Sequence, residues 1–199
     1  MTVNRNVLRH VLGAFASLLI FAVMAAAQSS TAPQADFSNV KIKNFGQMDE
    51  QFFRGAQPKE KDYESLKALG IHTVVDLQAE PKEYEKRIVE SLGMHYVNIP
   101  MVDKEYPTEQ AVQSFMKLVN DPETGKFYVH CAGGRHRTGA MGAVYRFTKY
   151  NWNYDQVYAE MKKYDFYTSW GHGDFKTFVQ DYWTKMQAAN AKAASSAGR

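Results

Sequence analysis

The chain contains the run KFYVHCAGGRHRTG at residues 126–139. Its first five residues are mostly β-branched or aromatic, which predicts a short buried strand at residues 126–130. A glycine-rich loop follows, and a helix is predicted from about Thr138. A strand that leads through such a loop into a helix turns backbone N–H groups and the positive helix end toward one point. The run therefore predicts an anion-binding loop.

The side chains of this loop suit the attack of a sulfur atom on a phosphate group. Cys131 is the single cysteine of the chain, and N–H dipoles and neighbouring cations lower the pKa of such a thiol, so we expect a thiolate nucleophile. Arg137 presents a planar fork that binds two phosphate oxygens, and the Thr138 hydroxyl can donate a hydrogen bond to the sulfur. The phosphate-binding residues predicted on the loop are Ala132, Gly133, Gly134, Arg135, His136 and Arg137.

Short apolar segments alternate with helical ones along the rest of the chain. Thr108 is predicted to cap one helix and Gly70 to end another. Strands are predicted at residues 72–77, 95–99 and 126–130, and helices at 59–69, 81–92, 108–119, from 138, 154–164 and 175–189. This alternation predicts an α/β fold, a single domain with a mostly parallel central sheet flanked by helices.

Composition limits the classes of function. The chain has 199 residues, 45% of them hydrophobic and 14% aromatic, which is enough apolar material for one core. A formal net charge of +3 without basic runs argues against a nucleic acid partner. A lone cysteine excludes an internal disulfide, and His130 and Cys131, adjacent on a strand, point to opposite faces and do not converge on a metal. We expect no metal and no cofactor.

The N-terminus has the three parts of a secretory signal peptide. Arg5 and Arg9 precede an uncharged apolar run at residues 11–24, and small residues stand before a cut after Ala27. We therefore expect an exported protein, periplasmic or secreted, without a stable membrane span after cleavage; an uncleaved N-terminal anchor is the alternative. The predicted organisation is a signal peptide at 1–27, a flexible leader at 28–47, the folded domain at 48–187 and a flexible tail at 188–199.

The pattern His-Cys, five residues, Arg-Thr resembles the signature of the cysteine-dependent protein tyrosine phosphatase superfamily, in its dual-specificity branch. The segment FRGAQP at residues 53–58 is similar to the atypical phosphatases of plants and fungi and their bacterial relatives. The resemblance covers roughly residues 52–183. It implies a dual-specificity phosphatase-like fold, metal-independent hydrolysis of phosphate monoesters through a phosphocysteine, and His130 as the residue that supports the cysteine.

The same resemblance implies a general acid on a mobile loop roughly thirty residues before the cysteine. Asp103 stands 28 residues before Cys131, just after a predicted strand, and is our choice for this acid. Glu105 is the second choice. The implied substrates are phosphotyrosine in phosphoproteins, or an inositol phosphate or pyrophosphate, because Arg135 and His136 are expected to face solvent and, with Lys104, to form a cationic pocket mouth.

Other interpretations of the loop are weaker. A rhodanese-like sulfurtransferase uses a loop one residue shorter, and His136 rather than arginine stands at the fifth position after the cysteine. A Walker-type nucleotide site lacks its Lys-Ser/Thr pair after Gly139. A catalytically silent domain that binds phosphorylated ligands remains as the alternative from another class. Asp76 is predicted to be structural. Residues 170–173 are either a second loop near the site or a connection between helices, and we favour the connection. The oligomeric state stays open.

Overall fold

The computed structural model describes residues 37–197. The predicted signal peptide and the first part of the predicted leader lie outside these residues. Among the helices of the described part, none is long and apolar enough to cross a membrane.

A five-stranded sheet forms the centre of the domain, in the order β1-β2-β5-β3-β4. The short β1 runs antiparallel to β2, and the other neighbouring strands pair in parallel. The strands are β1 (Gly46–Gln47), β2 (Phe52–Ala56), β3 (Thr73–Gln78), β4 (His95–Met101) and β5 (Phe127–Cys131). The predicted α/β fold with a mostly parallel sheet is therefore confirmed.

Helices cover both faces of this sheet. They are α1 (Asp62–Ala68), α2 (Glu83–Ser91), α3 (Glu109–Asn120), α4 (His136–Tyr150), α5 (Tyr154–Lys163) and α6 (Gly173–Ala197), with a 3-10 turn at Pro122–Thr124. Successive β5 residues point to opposite faces. Phe127 and Val129 join the core with α3 to α6, whereas Tyr128 joins the core with α1 and α2.

Several predicted helix ends are confirmed by local geometry. The Thr108 hydroxyl accepts a hydrogen bond from the backbone N–H of Ala111 at 3.2 Å, which caps α3. Gly70, just after α1, has the positive φ of +80° that favours glycine there. Helix α4 begins at His136, two residues before the predicted start.

The folded part extends beyond the predicted boundaries on both sides. Residues 37–47, placed by prediction in a flexible leader, carry the buried Ile42 and include Phe45, whose ring stacks on Tyr128 at 6.1 Å. Helix α6 continues to Ala197, through the residues predicted as a tail. Strands β1 and β2 were not predicted, because β1 has two residues and β2 is buried along its whole length, without the alternation that marks a half-exposed strand.

Candidate active site

Cys131 ends β5 at the carboxyl edge of the sheet and is 2% exposed. It lies in a cavity of about 220 Å³, formed by the loop at residues 131–137 together with side chains from two other loops. The lining residues are Asp103, Cys131, Ala132, Gly133, Arg135, His136, Arg137, Tyr167 and His172. The structure therefore brings most of the predicted site residues to one place.

Donors outside the loop bind three successive loop carbonyls. The backbone N–H of Gln57 donates to the Ala132 carbonyl at 3.4 Å, and Asn44 Nδ2 donates to the Gly133 carbonyl at 2.8 Å. Arg54 Nη2 donates to the Gly134 carbonyl at 2.7 Å. In a trans peptide the N–H points opposite to the carbonyl. Outward carbonyls at 132–134 therefore turn the following N–H groups toward the inside of the loop, an arrangement that suits an anion.

Gly134 meets two conditions that exclude a side chain. Its φ is +66°, and a Cβ built on it would lie 2.4 Å from the carbonyl carbon of Gly55. Gly55, the third residue of the FRGAQP segment, stands beside His130 in the β2–β5 register. This segment packs against the loop at residues 131–137.

Arg54 is the largest fully buried side chain of that segment. It was not identified from the sequence as a residue of the site. The side chain is 1% exposed, and its guanidinium lies 4.0 Å from the centre of the Tyr164 ring. Burial lowers the pKa of Arg54 to about 10, so the group stays cationic at neutral pH. Its position in the FRGAQP segment could have indicated a role at the site, but we used that segment only as evidence of similarity to the atypical phosphatases.

The environment of Cys131 favours the thiolate. Burial alone would raise the pKa of this thiol, but the charge of Arg137 and hydrogen bonds outweigh it and hold the pKa below its ordinary value. The backbone N–H groups of Thr138 and Gly133 donate to the sulfur, and the nearby Thr138 hydroxyl also favours the thiolate. These contacts agree with the positions expected for a nucleophile, its cation and its hydroxyl donor.

The Arg137 side chain lies between the loop at residues 131–137 and the segment that carries Asp103. Its Nη1 donates to the Met101 carbonyl at 3.2 Å, and its Nη2 lies 3.7 Å from Oδ1 of Asp103. The Nε atoms of Arg137 and Arg135 are buried and have no hydrogen-bond partner among the described residues. Phosphoryl oxygens are acceptors that would satisfy both donors.

The two candidate acids lie in different places. Asp103 lines the Cys131 cavity and contacts Arg137, and its side chain is half exposed. Glu105 lines a separate small cavity with Tyr106 and Thr108. The geometry supports Asp103 over Glu105.

Arg135 and His136 differ from the expected pair of solvent-facing cations. Arg135 is partly exposed and pairs with Asp165 at 3.6 Å. His136 is 6% exposed, and its Nε2 bonds to the Tyr167 carbonyl at 3.0 Å. Burial and the neighbouring His172 lower the pKa of His136 to about 4. The prediction of a charged His136 at the rim is therefore wrong, because the ring packs against Tyr167, His172 and Phe175.

Residues 170–173 lead from α5 into the start of α6, as the favoured interpretation predicted, and they also form a loop at the site, which was the second interpretation. This segment carries His172, which lines the cavity and stacks on His136 with ring centres 3.7 Å apart. Nε2 of His172 lies 3.9 Å from Oδ2 of Asp103. No local pattern indicated this contact.

Behind the loop, His130 lies between two buried carboxylates. Its Nε2 is 2.7 Å from Oε1 of Glu85 and its Nδ1 is 3.8 Å from Oδ1 of Asp76, and all three side chains are fully buried. Burial would lower the pKa of His130, but Glu85 outweighs it and raises that pKa. Burial would raise the pKa of Glu85, but the hydrogen bond with His130 holds it below its ordinary value.

These three residues are of metal-ligand type and lie close together. The two carboxylates, however, contact different nitrogens of the same ring, and a protonated imidazole has no free lone pair for a metal. The arrangement fits a buried ion-pair network. Asp76 also accepts from the Gln78 backbone N–H at 2.9 Å and from the Tyr96 hydroxyl at 3.2 Å, as expected for a structural residue.

Comparison with known proteins points in the same direction as this geometry. A family model described as a DSP-PTPase phosphatase fused to NAD+ kinase matches residues 29–180. OCA1 of Mycosarcoma maydis, whose name describes a tyrosine-protein phosphatase, is 26% identical over 126 residues, covering 61% of this chain and 79% of that protein. Inositol diphosphatase DSP5 of Arabidopsis thaliana is 23% identical over 146 residues, covering 70% of this chain and 69% of that protein.

Among solved structures, TpbA of P. aeruginosa has a TM-score of 0.63 at 21% identity, covering 79% of this chain and 95% of that one. A second TpbA structure, with a TM-score of 0.58 at 19% identity, contains phosphotyrosine and covers 77% of this chain and 94% of that one. These likenesses show the fold. The family match covers most of the sequence and the whole loop of Cys131. The chain therefore belongs to the DSP-PTPase phosphatase family that this model describes, and it is an enzyme of the tyrosine and dual-specificity phosphatase type.

Proposed function

We propose that the enzyme hydrolyses phosphate monoesters in two steps through a phosphocysteine on Cys131. In the first step, the sulfur attacks phosphorus, a sulfur–phosphorus bond forms, and the bond to the leaving oxygen breaks. The leaving oxygen takes the electron pair of that bond and a proton from the Asp103 carboxyl group. Arg137 and the N–H groups of the loop bind the phosphoryl oxygens throughout.

In the second step, a water oxygen attacks phosphorus on the phosphocysteine. The sulfur–phosphorus bond breaks, its electron pair returns to Cys131, and the proton of the water passes to Asp103. The sum of the two steps converts an ester and water into an alcohol and phosphate. No metal or cofactor enters either step.

The observation that carries this proposal is the environment of one thiol. Cys131 lies at the floor of the cavity with a lowered pKa, surrounded by Arg137, Thr138 and inward N–H groups. A structural cysteine in an apolar core would have its pKa raised.

Two substrate classes have support from different observations. An aryl phosphate such as phosphotyrosine is supported by the ring wall of the cavity, formed by Tyr167 and His172, and TpbA has been seen with phosphotyrosine. An inositol phosphate or diphosphate is supported by the buried, unpaired Nε of Arg135 beside the Cys131 site, and DSP5 is named for that activity. Because Arg135 pairs with Asp165 and His136 is neutral, the mouth is less cationic than the sequence suggested.

A substrate panel with a chelator present tests both parts of this proposal. We would measure phosphate release from a phosphotyrosine peptide, inositol phosphates and inositol diphosphates by the full chain, with Cys131→Ser as the comparison. We expect turnover of at least one class, abolished in Cys131→Ser. Tight binding of phosphorylated ligands without any turnover would instead indicate a silent binding domain.

We also propose that the enzyme is exported, because residues 1–27 have the composition of a cleavable signal peptide. Expression of the full chain with cell fractionation and N-terminal sequencing tests this point. We expect protein outside the cytoplasm that begins at Gln28. Protein that retains the N-terminal segment in the membrane fraction would support the anchor, and protein that retains it in the cytoplasm would contradict export.

A further inference from the structure

Asp103 has a second partner in the cavity that the mechanism above does not use. We propose that His172 is a positioning residue that acts through Asp103: it holds the carboxylate over the cavity and shares a proton with it. This inference rests on the proposed two-step mechanism. It goes beyond that mechanism by making the general acid a pair of residues from two separate loops.

The hydrogen bonds of His172 define which ring nitrogen can exchange a proton. Nδ1 lies 3.0 Å from the backbone carbonyl of Ser169. A carbonyl only accepts, so Nδ1 carries a hydrogen in both charge states of the ring. Proton uptake and release therefore occur at Nε2, and this is the atom that lies 3.9 Å from Oδ2 of Asp103.

The packing of His172 fixes the ring plane. It stacks on His136 at 3.7 Å and meets the edge of the Tyr167 ring at 5.1 Å. His136 is neutral near pH 7, because burial and the proximity of His172 hold its pKa at about 4. The stacked pair therefore carries at most one positive charge, and His172 can become charged without facing a second imidazolium.

Asp103 lies between two side chains of different chemistry, a guanidinium and an imidazole. Arg137 Nη2 is 3.7 Å from Oδ1, and His172 Nε2 is 3.9 Å from Oδ2. Arginine does not release a proton in proteins, whereas imidazole changes charge between pH 5 and 8. Of these two partners, His172 alone can supply the proton that turns the carboxylate into an acid.

Substrate binding gives that transfer a direction. When a phosphate dianion enters the loop, Arg137 binds phosphoryl oxygens, and the negative charge beside Asp103 disfavours an ionised carboxylate. The proton then moves from His172 Nε2 to Asp103, and from Asp103 to the leaving oxygen. In the second step, a proton of the attacking water returns to Asp103 and from there to His172. The side chain of Asp103 is half exposed on a loop, which allows it to close the distance of 3.9 Å to hydrogen-bond length.

The charged and titratable groups that face His172 come from four segments. Asp103 and Lys104 lie on the loop after β4, and the aliphatic part of Lys104 contacts the position of Gly171. Arg135, His136 and Arg137 lie at the start of α4, and Tyr167 and Cys131 complete the cavity. These groups stay the same in a variant that changes only His172.

The test compares leaving groups, because a general acid matters most when the leaving oxygen is a poor leaving group. His172→Asn keeps a donor where Nδ1 stands and removes the titrating nitrogen. We expect kcat on phenyl phosphate at pH 7 to fall about tenfold to a hundredfold, with at most a few-fold loss on 4-nitrophenyl phosphate. The matched control is Trp170→Asn, two residues away and 82% exposed, for which neither rate should change.

The pH profile separates proton sharing from simple charge attraction. If the pair shares a proton, the decline of kcat at high pH moves to lower pH in His172→Asn, because Asp103 loses its donor. If His172 only attracts the carboxylate, its removal makes Asp103 easier to protonate and the decline moves to higher pH. That shift, or an equal loss on both substrates at all pH values, would overturn the proposal.

A second measurement avoids any folding problem in a His172 variant. NMR would compare the ring resonances of His172 at pH 7 in wild type and in Asp103→Asn, and we expect the Nε2 resonance to shift in the variant more than the Nδ1 resonance. An unchanged Nε2 resonance would overturn the proposal. Cys131→Ser tests the phosphocysteine mechanism separately from the role of His172. Retained activity in Cys131→Ser would contradict that mechanism, whereas a negative result for His172 would leave it intact.

Discussion

The carboxylate of Glu85 lies 2.7 Å from Nε2 of His130, and neither side chain is exposed. The pair joins α2 to the β5 residue that precedes Cys131. Charged groups are kept in a protein interior when they are paired, and removing one partner leaves the other charge without compensation.

We predict that Glu85→Gln lowers the free energy of unfolding by about 3 kcal/mol. The contribution of Glu85 has a defined pH window, because its pKa is lowered and that of His130 is raised by folding. The stability that Glu85 contributes is present above its ordinary pKa of 4.5, and it is lost as pH falls through the lower pKa of Glu85 in the folded protein. The His130 part is present below its ordinary pKa of 6.5 and is lost as pH rises through its folded value.

The stability difference between wild type and Glu85→Gln should therefore be largest between these two ordinary values and shrink on both sides. Denaturant unfolding at a series of pH values measures it. Tyr84→Phe is a suitable control, because it removes the hydrogen bond to the Pro58 carbonyl from the same helix and leaves His130 untouched. A difference that does not change with pH would mean that the pair is not ionised.

We predict that Gly134→Ala strongly lowers turnover. The added Cβ would lie 2.4 Å from the Gly55 carbonyl carbon at a φ of +66°, so the loop must move away from β2. Loss of the inward N–H groups should lower kcat by about a hundredfold or more. Gly133→Ala is the matched control, because its nearest contact would be the flexible Arg135 side chain at 3.7 Å. Equal activity of the two variants would contradict the account of the loop.

Arg54→Lys tests the outward hydrogen bond to the Gly134 carbonyl. Lysine keeps the charge but cannot reproduce both the hydrogen bond at 2.7 Å and the stacking on Tyr164. We expect kcat/KM to fall about tenfold to a hundredfold because the loop loses its alignment. Steady-state kinetics with thermal unfolding alongside gives the answer. A variant with reduced stability but wild-type kcat/KM would show that Arg54 serves stability alone.

The two acids of the loop after β4 should behave differently. Asp103→Asn is predicted to lower kcat on an alkyl or phenyl phosphate about a hundredfold, since Asp103 lines the Cys131 cavity. Glu105→Gln should keep wild-type kcat, since Glu105 lines another cavity. Rates for both variants across pH 4 to 9 provide the comparison, and the reverse order of effects would assign the acid to Glu105.

The reactivity of Cys131 should depend on Arg137. Because the charge of Arg137 is the main factor that lowers the pKa of this thiol, Arg137→Gln should raise that pKa. The measurement is the rate of iodoacetamide alkylation as a function of pH. In the wild type the rate should reach its plateau at lower pH than in the variant, and identical profiles would show that Arg137 does not influence the thiolate.

The proximity of Cys131 and Arg137 could be predicted from the sequence because both belong to one local structure. The strand, the glycine turn and the start of α4 are consecutive, so the spacing of Cys131 and Arg137 is itself the geometry of the site. The alternation of strands and helices likewise predicted the mostly parallel sheet. The Thr108 cap could be predicted from the residues around it.

The supports of the loop could not be predicted, because their contacts join distant parts of the chain. Asn44 is 89 residues from Gly133, and Arg54 is 80 residues from Gly134. His172 reaches Asp103 only because α4 and α6 pack together on one face of the sheet. The pattern of residues 170–173 is that of an ordinary helix connection, and β2 has no exposed face that would produce an alternating pattern.

If phosphate passes through Cys131, the phosphocysteine can be trapped before water attacks it. The full chain would be mixed with an aryl phosphate in the presence of chelator, quenched within milliseconds and digested for peptide mass spectrometry. The account predicts a phosphate group on the Cys131 peptide in the wild type and none on that peptide in Cys131→Ser. Phosphate release at the wild-type rate by Cys131→Ser, with no phosphorylated Cys131 peptide in either protein, would contradict it.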